Sequence, residues 1–535
     1  MRIRPTMLLL FVTPVALAVA AAYIQWGVWG LPTLHEPPEL PFTPGDAFPA
    51  WMRITHYINL FFMILLIRSG LQILADHPRL YWNVHCTPGT EWLRLTPVEV
   101  PRDRLYTAKD DARHLSPWIG LPGYRHTIGM ARHWHFLSIL FWVGNGVVFV
   151  VMLFCTEQWR RLIPTSWHII PEAWSVFVHY TTFHMPPGEN TFYRYNALQQ
   201  LAYFSAVFIL APLAILTGPS MSPALTNRFP WYPKLPANRQ VGRSLHFLIL
   251  CAFIGFIIPH VTMVVLTGFG RNMNHIVVGT EDSASADPRG LYLGFLGIAV
   301  IIAVNAFANW IAWKHPRVVQ HVAKLIVTPI MAYLLDRVAP VAEFRREDIS
   351  PFFWPNGKLP TSDEWKELSA GGFRDYRLKV HGLVENPVEL SLDDIKAMAK
   401  RTQITLHHCI QGWSGIAEWG GLPMAELIAL VRPKPNAHVA VFYSFGEGLE
   451  GGAYYDSHSL KNLLHIHSLL AYEMNYQPLN EVHGAPLRLR VENQLGFKMV
   501  KWIRAIEFVE SAASFGQGEG GYNEDHEYFG ELANI

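Results

Sequence analysis

Charged side chains are scarce in this chain: Asp, Glu, Lys and Arg make up 16% of 535 residues, while half are hydrophobic. That ratio excludes an ordinary soluble globule and points toward a bilayer. No excess of either sign is present, because 43 Lys and Arg face 42 Asp and Glu, and the net charge of +1 gives nucleic acid nothing to bind. Cysteine is nearly absent too. The four residues Cys86, Cys155, Cys251 and Cys409 lie far apart, two of them in apolar runs, which excludes a disulfide framework and a CxxC zinc pattern. No fixed-period repeat and no low-complexity tract is found. The length asks for at least two domains.

Long apolar runs are present in number. Six, near residues 7–24, 54–75, 134–155, 197–217, 245–267 and 291–313, can each cross a hydrocarbon core of ~30 Å as helix. The first follows "MRIRP" and reads as an uncleaved span, since its A-A-A-Y end fits a signal-peptidase site poorly. With the amino terminus in the cytoplasm, loops 76–130, 218–243 and 314–324 carry about three times the Lys and Arg of loops 25–50, 156–195 and 268–290. A multi-pass protein of the bacterial inner membrane follows, its carboxyl-terminal half on the cytoplasmic side. "MRIRPTM" holds no twin arginine, which agrees; the pair in "EFRRED" at 343–348 reads as a basic flank of the last span.

After about residue 340 the pattern changes to charged, Pro/Gly-punctuated sequence. "DYRLKVHGLV", "AHVAVFYSF", "LRLRVEN" and "KWIRAIEFVE" alternate like strands, while "SLDDIKAMAK" and "PMAELIALV" read as short helices. The expected fold is therefore multidomain: an all-α transmembrane bundle of about six spans, then an α+β, mostly β domain. The divisions fall at 1–50 (first span and loop), 51–280 (helical bundle), 281–339 (further span and linker) and 340–535 (soluble domain and extension).

Of the 25 histidines, four stand in apolar runs: His56, His135, His246 and His260. An imidazole in lipid normally faces a bundle interior or a cofactor. His246 and His260 are fourteen residues apart, so they share one helix face about 21 Å apart along the axis. His56 and His135 begin oppositely directed spans and sit at opposite depths. Two levels result, His56 with His260 and His135 with His246. Either the imidazoles are hydrogen-bonded structural groups, or the two pairs hold two b-type haems, whose six-coordinate iron suits electron transfer. His133 competes with His135 for the ligand position. "RITHYINLFFMILLIRSGLQILADHPRLYW", "RHWHFLSILFWVGNG" and "RYNALQQLAYFSAVFILAPLAILTGPSMSPAL" resemble the di-haem cytochrome b subunits of formate dehydrogenases, nickel-iron hydrogenases and thiosulfate reductases. That resemblance, over about 50–280, implies the four histidines as ligands of two haem b and a membrane quinone or quinol as electron partner.

"LHHCIQGWSGIAEWGG", residues 406–421, puts Cys409 at the end of a strand before a flexible turn. A nucleophile with His407 or His408 as base, a single thiolate ligand to a soft metal, and a buried structural thiol all remain open; zinc lacks further ligands. With "DISPFFWPNG" and "LLAYEMNYQPLNEVHGAPLRLRVENQLGFKMVKWIRAIEFVE", the stretch resembles the molybdopterin domain of the sulfite oxidase and methionine sulfoxide reductase superfamily, over about 345–512. The resemblance implies Cys409 as the molybdenum ligand. It also implies His483, Arg488, Gly496, Phe497 and Lys498 around Mo-molybdopterin, with Asn356 and Ser444 as further contacts and Tyr455 near the metal pocket; the neighbouring Arg490 reads from the strand pattern as a strand-surface arginine. Sulfite oxidases usually follow the ligand with Asn-Arg-Arg, and here "CIQGWSG" stands instead.

The expectation is a molybdenum oxidoreductase that couples oxygen-atom transfer to the quinone pool through two b haems. The missing basic residues favour reduction of an S- or N-oxide over oxidation of a small sulfur oxyanion. A non-catalytic electron relay with a degenerate domain, and a six-span transporter with structural histidines, are the alternatives. A homo-oligomer is compatible with the sequence. The acidic, aromatic tail "GQGEGGYNEDHEYFG" reads as a packed or lid-like extension.

Overall fold

A computed structural model describes residues 2–3, 5–35, 40, 42, 44–123, 128–185, 192–229, 231–232, 235–335, 341–530 and 535. Among them are six helices long and apolar enough to span a membrane. They are α1 (Pro5–Trp29), α2 (Ala50–Asp76), α3 (Ile128–Cys155), α4 (Ala197–Ser220, with a π-helical stretch at Ser205–Leu210), α5 (Arg239–Leu266) and α6 (Arg289–Lys314). Their outer faces expose Val148, Ile258 and Leu293 among many apolar side chains, as lipid contact requires. The helices begin and end a few residues beyond the apolar runs, because polar caps extend them. Asn238 shows this, its side chain accepting from the amides of Gln240 and Val241 at the start of α5.

Buried polar contacts fix the direction of packing. Asn145 donates to the Thr55 carbonyl at 3.0 Å and Trp142 to Asn59 at 2.8 Å, while Ser69 meets His135 at 3.0 Å. Residue numbers fall on α2 as they rise on α3, so the two helices are antiparallel. α4 runs antiparallel to α5 by the same logic, through Tyr203 with His260 and Thr217 with His246.

Beyond α6 the chain turns at His315 into an amphipathic helix, α7 (Pro316–Leu335). Sequence patterning had suggested only a linker there. The boundary at 340 lies outside the described residues. The following domain holds β1 (Arg377–Gly382), β2 (Val388–Ser391), β3 (Arg401–His408), β4 (Ser414–Pro423), β5 (Val439–Glu447), β6 (Ala453–Ser459), β7 (Ser468–Met474), β8 (Gln477–Pro478), β9 (Arg488–Val491) and β10 (Ile503–Val509). One sheet has the order β8-β7-β4-β3 with β9 paired to β7; the other has the order β2-β1-β10-β5-β6. Among the described residues, only β1 and β10 pair in parallel. Between the sheets lies an apolar core that includes Leu422, Phe442, Leu489, Ile506 and Phe508.

This domain sits on the end of the bundle where α2 stops and α5 begins. The segment between α2 and α3 is the cushion. Its strand Leu93–Arg94 pairs with Arg79–Leu80 and with the amino-terminal Arg2–Ile3, so the amino terminus lies at the same end. Arg79 and Asp111 hold the cushion together through two hydrogen bonds of 2.8 Å, both side chains being almost fully buried. Replacing Asp111 with Ala strands the Arg79 guanidinium with Glu91 as its remaining acid, 3.0 Å away. A loss of roughly 3 kcal/mol is expected, near the lower end for breaking a buried pair because Glu91 stays. Thermal unfolding of the purified protein in detergent checks this. A midpoint equal to that of the unaltered protein would mean that Glu91 alone suffices.

Candidate active site

Cys409 ends β3, and the turn to β4 is closed by its own backbone: the Cys409 amide donates to the Trp413 carbonyl at 3.1 Å and the Gly412 amide to the Cys409 carbonyl at 3.2 Å. Gly412 has φ +113° and faces the Arg243 guanidinium, 3.1 Å from where a Cβ would stand, so position 412 needs glycine on both counts. The thiol is 2% exposed, and burial pushes its pKa up to about 12. The thiol donates to Gln411 Oε1 at 3.7 Å.

In front of this turn lies a cleft. Six of the residues singled out in the sequence line it together: Asn356, Ser444, His483, Arg488, Gly496 and Phe497. Gly496 lies flat against the His407 ring, where a Cβ would collide. Arg490 donates to His407 Nδ1 at 3.1 Å; an arginine can only donate, so this histidine is neutral and carries its proton on Nε2. Burial, with Arg490 and Arg488 alongside, holds its pKa well below the usual histidine range. His483 is likewise neutral, pushed down to about 3 by burial and then by Lys501 and Arg488.

The cations divide by whether an acid neutralises them. Arg490 is fully buried and paired with Glu492 at 2.8 Å, so it is an interior residue and not the strand-surface arginine that alternation suggested; both faces of β9 are covered. Lys498 is turned away from the cleft, buried between Asp456 and Glu524. Arg488 has no ion pair among the described residues. It donates to the His483 carbonyl at 3.0 Å and lies over the Trp419 ring, with Nε unpartnered. Lys501 also lines the cleft and, among the described residues, donates only to the carbonyls of Asn356 and Val482. Burial first holds both Arg488 and Lys501 well below their usual pKa ranges, with Arg490 adding to the effect at Arg488, and Arg488 and Lys109 adding to it at Lys501. Two buried cations without carboxylates are a fit for an anionic cofactor that brings its own sulfur and phosphate; Trp413 carries the Cys409 turn to the cleft wall, while Cys409 itself does not line it. Tyr455 does not reach the cleft: its hydroxyl donates to Asp525 of the tail.

Sequence reasoning missed the contribution of the membrane half. Arg239, the first residue of α5, donates to the Cys409 and Trp413 carbonyls at 3.3 Å each, and Gln240 donates to the Gly412 carbonyl at 2.9 Å. Lys109, from the cushion, lines the cleft. No local pattern marks these residues, since each acts across hundreds of positions. Positive charge absent after Cys409 in sequence thus arrives from elsewhere.

The four bundle histidines stand at two levels. His56 and His260 have ring centroids 6.4 Å apart. Two imidazoles on opposite sides of one metal, at bonds of about 2 Å, have centroids about 6 Å apart, so the gap fits an iron. At the other level the tautomers follow from donor counting. Ser69 spends its one proton on the Leu65 carbonyl at 2.7 Å and Thr217 on the Leu213 carbonyl at 2.7 Å. Both hydroxyls must therefore accept from the histidine Nδ1 they touch, His135 at 3.0 Å and His246 at 2.9 Å. Each Nε2 is left with a free lone pair, the form that ligates metal. His133 instead meets the Tyr528 carbonyl at 2.9 Å, which separates it from His135.

The family model described as oxidoreductase molybdopterin binding domain matches residues 367–515, and that described as prokaryotic cytochrome b561 matches residues 47–277. The chain is 31% identical over 199 residues to the protein-methionine-sulfoxide reductase catalytic subunit MsrP of Xanthomonas axonopodis pv. citri, covering 35% of this chain and 61% of that protein. It is 32% identical over 173 residues to the uncharacterized oxidoreductase YuiH of Bacillus subtilis, covering 31% and 83%. To the sulfite oxidase of Arabidopsis thaliana it is 30% identical over 212 residues, covering 34% and 50%. The chain thus spans less than two thirds of the reductase and of the plant enzyme.

With a pKa near 12, Cys409 is a neutral thiol throughout the physiological range and gains thiolate only in strong alkali. In cofactor-free protein, iodoacetamide at pH 8 is therefore expected to leave Cys409 unmodified while the fold is intact and to modify it after denaturation. Peptide mass spectrometry reads the outcome. Ready labelling of the folded protein at pH 8 would show a more acidic or more open thiol.

Proposed function

Because the chain belongs to the oxidoreductase molybdopterin-binding family and joins that domain to a prokaryotic cytochrome b561, we propose that it is a quinol-linked membrane reductase of small S- or N-oxides. That it is a multi-pass molybdenum oxidoreductase of the sulfite oxidase superfamily is the premise; substrate, direction and wiring are the proposal. The observation that carries it is the seating of the Cys409 turn on α5. Arg239 touches that turn seven residues before His246, and Ile128, which packs with Ile410 beside Cys409, comes seven residues before His135. Both histidines therefore stand about 10 Å along their helices from the residues that meet the Cys409 turn.

In this reading Cys409 ligates molybdenum. Arg488 and Lys501 hold the pterin's anionic end, and His483, Asn356, Ser444, Gly496 and Phe497 shape its cleft. His135 with His246, and His56 with His260, hold two b-type haems. When bound, these groups supply two-electron oxygen-atom transfer and single-electron transfer respectively. The protein's share is binding and orientation. The neutral His407 and His483 keep the cleft from gathering further positive charge, and the paired Arg490 and Lys498 stay out of the chemistry. The catalytic domain shares its end of the bundle with the basic loops, which supports a cytoplasmic location. Reduction of sulfoxides is named for the MsrP relatives and is carried over here as part of the proposal.

Arg239 favours a second reading, oxidation of a small sulfur oxyanion into the quinone pool, since it sets a guanidinium without an ion pair among the described residues against the Cys409 turn. One experiment separates the two. Purified protein is expected to hold molybdenum and haem b in a ratio of one to two. An S-oxide should reoxidise haems previously reduced by quinol, and Cys409→Ser should slow that step at least 100-fold without altering the haem spectrum. Reduction of oxidised haems by sulfite would favour the second reading. Haems that respond to no sulfur or nitrogen oxo compound would sink both.

A further inference from the structure

The end of the bundle away from the molybdenum domain buries two polar side chains, each with at least one nitrogen atom that meets no partner among the described residues. Arg161 lies in the turn Gln158–Arg161 that follows α3, and is 1% exposed. It donates from Nη2 to the Phe192 carbonyl, but Nε and Nη1 meet no acceptor, and no carboxylate among the described residues forms an ion pair with it. His275, in the turn Asn274–Val278 that follows α5, is 3% exposed with Nε2 unpartnered. Burying such donors unpaired costs about 1–3 kcal/mol each, which an acceptor arriving from outside the chain would recover.

Both groups converge on one set of rings. Phe48 lies 4.9 Å under the Arg161 guanidinium and stacks 5.7 Å from the His275 ring, whose other neighbour is Phe192 at 4.9 Å. Hydrogen-bond donors framed by aromatic faces suit a flat ring that carries carbonyl oxygens. The same cluster is wired to the histidines. Tyr195 is 5.2 Å from the Arg161 guanidinium and 4.9 Å from Tyr203, and Tyr203 is 5.7 Å from His260. Arg53, one turn before His56, donates to the Val277 carbonyl in the His275 turn at 2.6 Å. At the opposite end, Arg239, Gln240 and Ile128 are covered by the molybdenum domain.

We propose that Arg161 and His275 bind the headgroup of a membrane quinol beside the His56–His260 pair, so that quinone exchange occurs at the bundle end opposite the molybdenum domain. The proposal rests on the quinol-linked reading above. A quinol bound there gives up two electrons, one at a time, and two protons, and leaves as quinone. The oxo substrate takes up two electrons and two protons, and its oxygen departs as water. Donors at Arg161 and His275 would hold the two oxygens of the ring as its O–H bonds are lost.

The full-length protein with its cofactors, in detergent under anaerobic conditions, tests this with decylubiquinol as probe. Arg161→Gln and His275→Gln are each expected to raise the half-saturating quinol concentration and to slow haem reduction at least tenfold. Dithionite reduction and reoxidation by an S-oxide should be unchanged, and Arg161→Lys should recover part of the loss. Unaltered quinol kinetics in both glutamine variants would overturn the site. If Arg161→Gln loses haem, photolabelling of the unaltered protein with an azidoquinone decides. Label on 158–161 or 274–278 supports the site, and label confined to other segments overturns it. An unaltered protein whose haems accept electrons from dithionite but from no quinol would defeat the quinol-linked reading itself, an outcome distinct from rapid reduction that the variants leave untouched.

Discussion

Three carbonyl oxygens in the turn after β3, at Cys409, Gly412 and Trp413, accept from side chains at the start of α5; those of Cys409 and Trp413 also accept within the turn, and that of Gly412 takes its hydrogen bond from Gln240. A buried carbonyl without a donor is unfavourable, so the turn and the helix end stabilise one another. Ser414 extends the seam by donating to the Val84 carbonyl at 2.7 Å, and Arg243 donates to the carbonyls of His77 and Arg79. The position of Cys409 is therefore set as much by the bundle as by the β domain. The depths of the histidines are counted from the same point. His246 is seven residues into α5 and His260 fourteen further, so one seam sets both the site and the levels at which electrons can stop.

Charge around the cleft obeys a single rule, that a cation is structural where an acid neutralises it. Arg490 with Glu492, and Lys498 with Asp456 and Glu524, are closed units whose net attraction to an outside anion is small. Burial and Glu524 hold the Asp456 carboxyl well above the usual carboxylate range, although Lys498 opposes them. Arg488 and Lys501 lack such partners and repel one another, which is tolerable only where negative charge is to be bound.

That rule explains what could and could not be read from the sequence. Membrane spans were legible because the requirement is local, some twenty apolar residues in a row. The two histidine levels were legible because helix rise converts residue number into depth. Cys409 and the six cleft residues came from contiguous motifs that the fold keeps together. Lys498 and Lys501 could not be told apart, since three residues of a tight turn decide which one meets Asp456 and which one enters the cleft. Arg490 looked like a surface residue because alternation assumes a sheet with one wet face, and β9 has none. Arg239 and Lys109 carried no signal, for their roles exist only once two distant segments have docked.

The tail shows how far that docking reaches. Gln320 of α7 donates to the carbonyls of Glu524 and Phe529, and Arg317 to those of Glu524 and Asp525, so the segment is strapped to the membrane half. Phe529 lies against Gly129 at the start of α3, where any side chain would collide with it. The same segment gives Asn523 and Glu527 to the rim of the cleft, and Glu527 meets Lys109 at 3.4 Å. A displacement of α7 or of the first turn of α3 would therefore reach the cleft through the tail without disturbing either sheet. The strap and the α5 seam flank the Cys409 turn from two sides, and a domain held by both cannot move away from His246 without breaking buried hydrogen bonds in each.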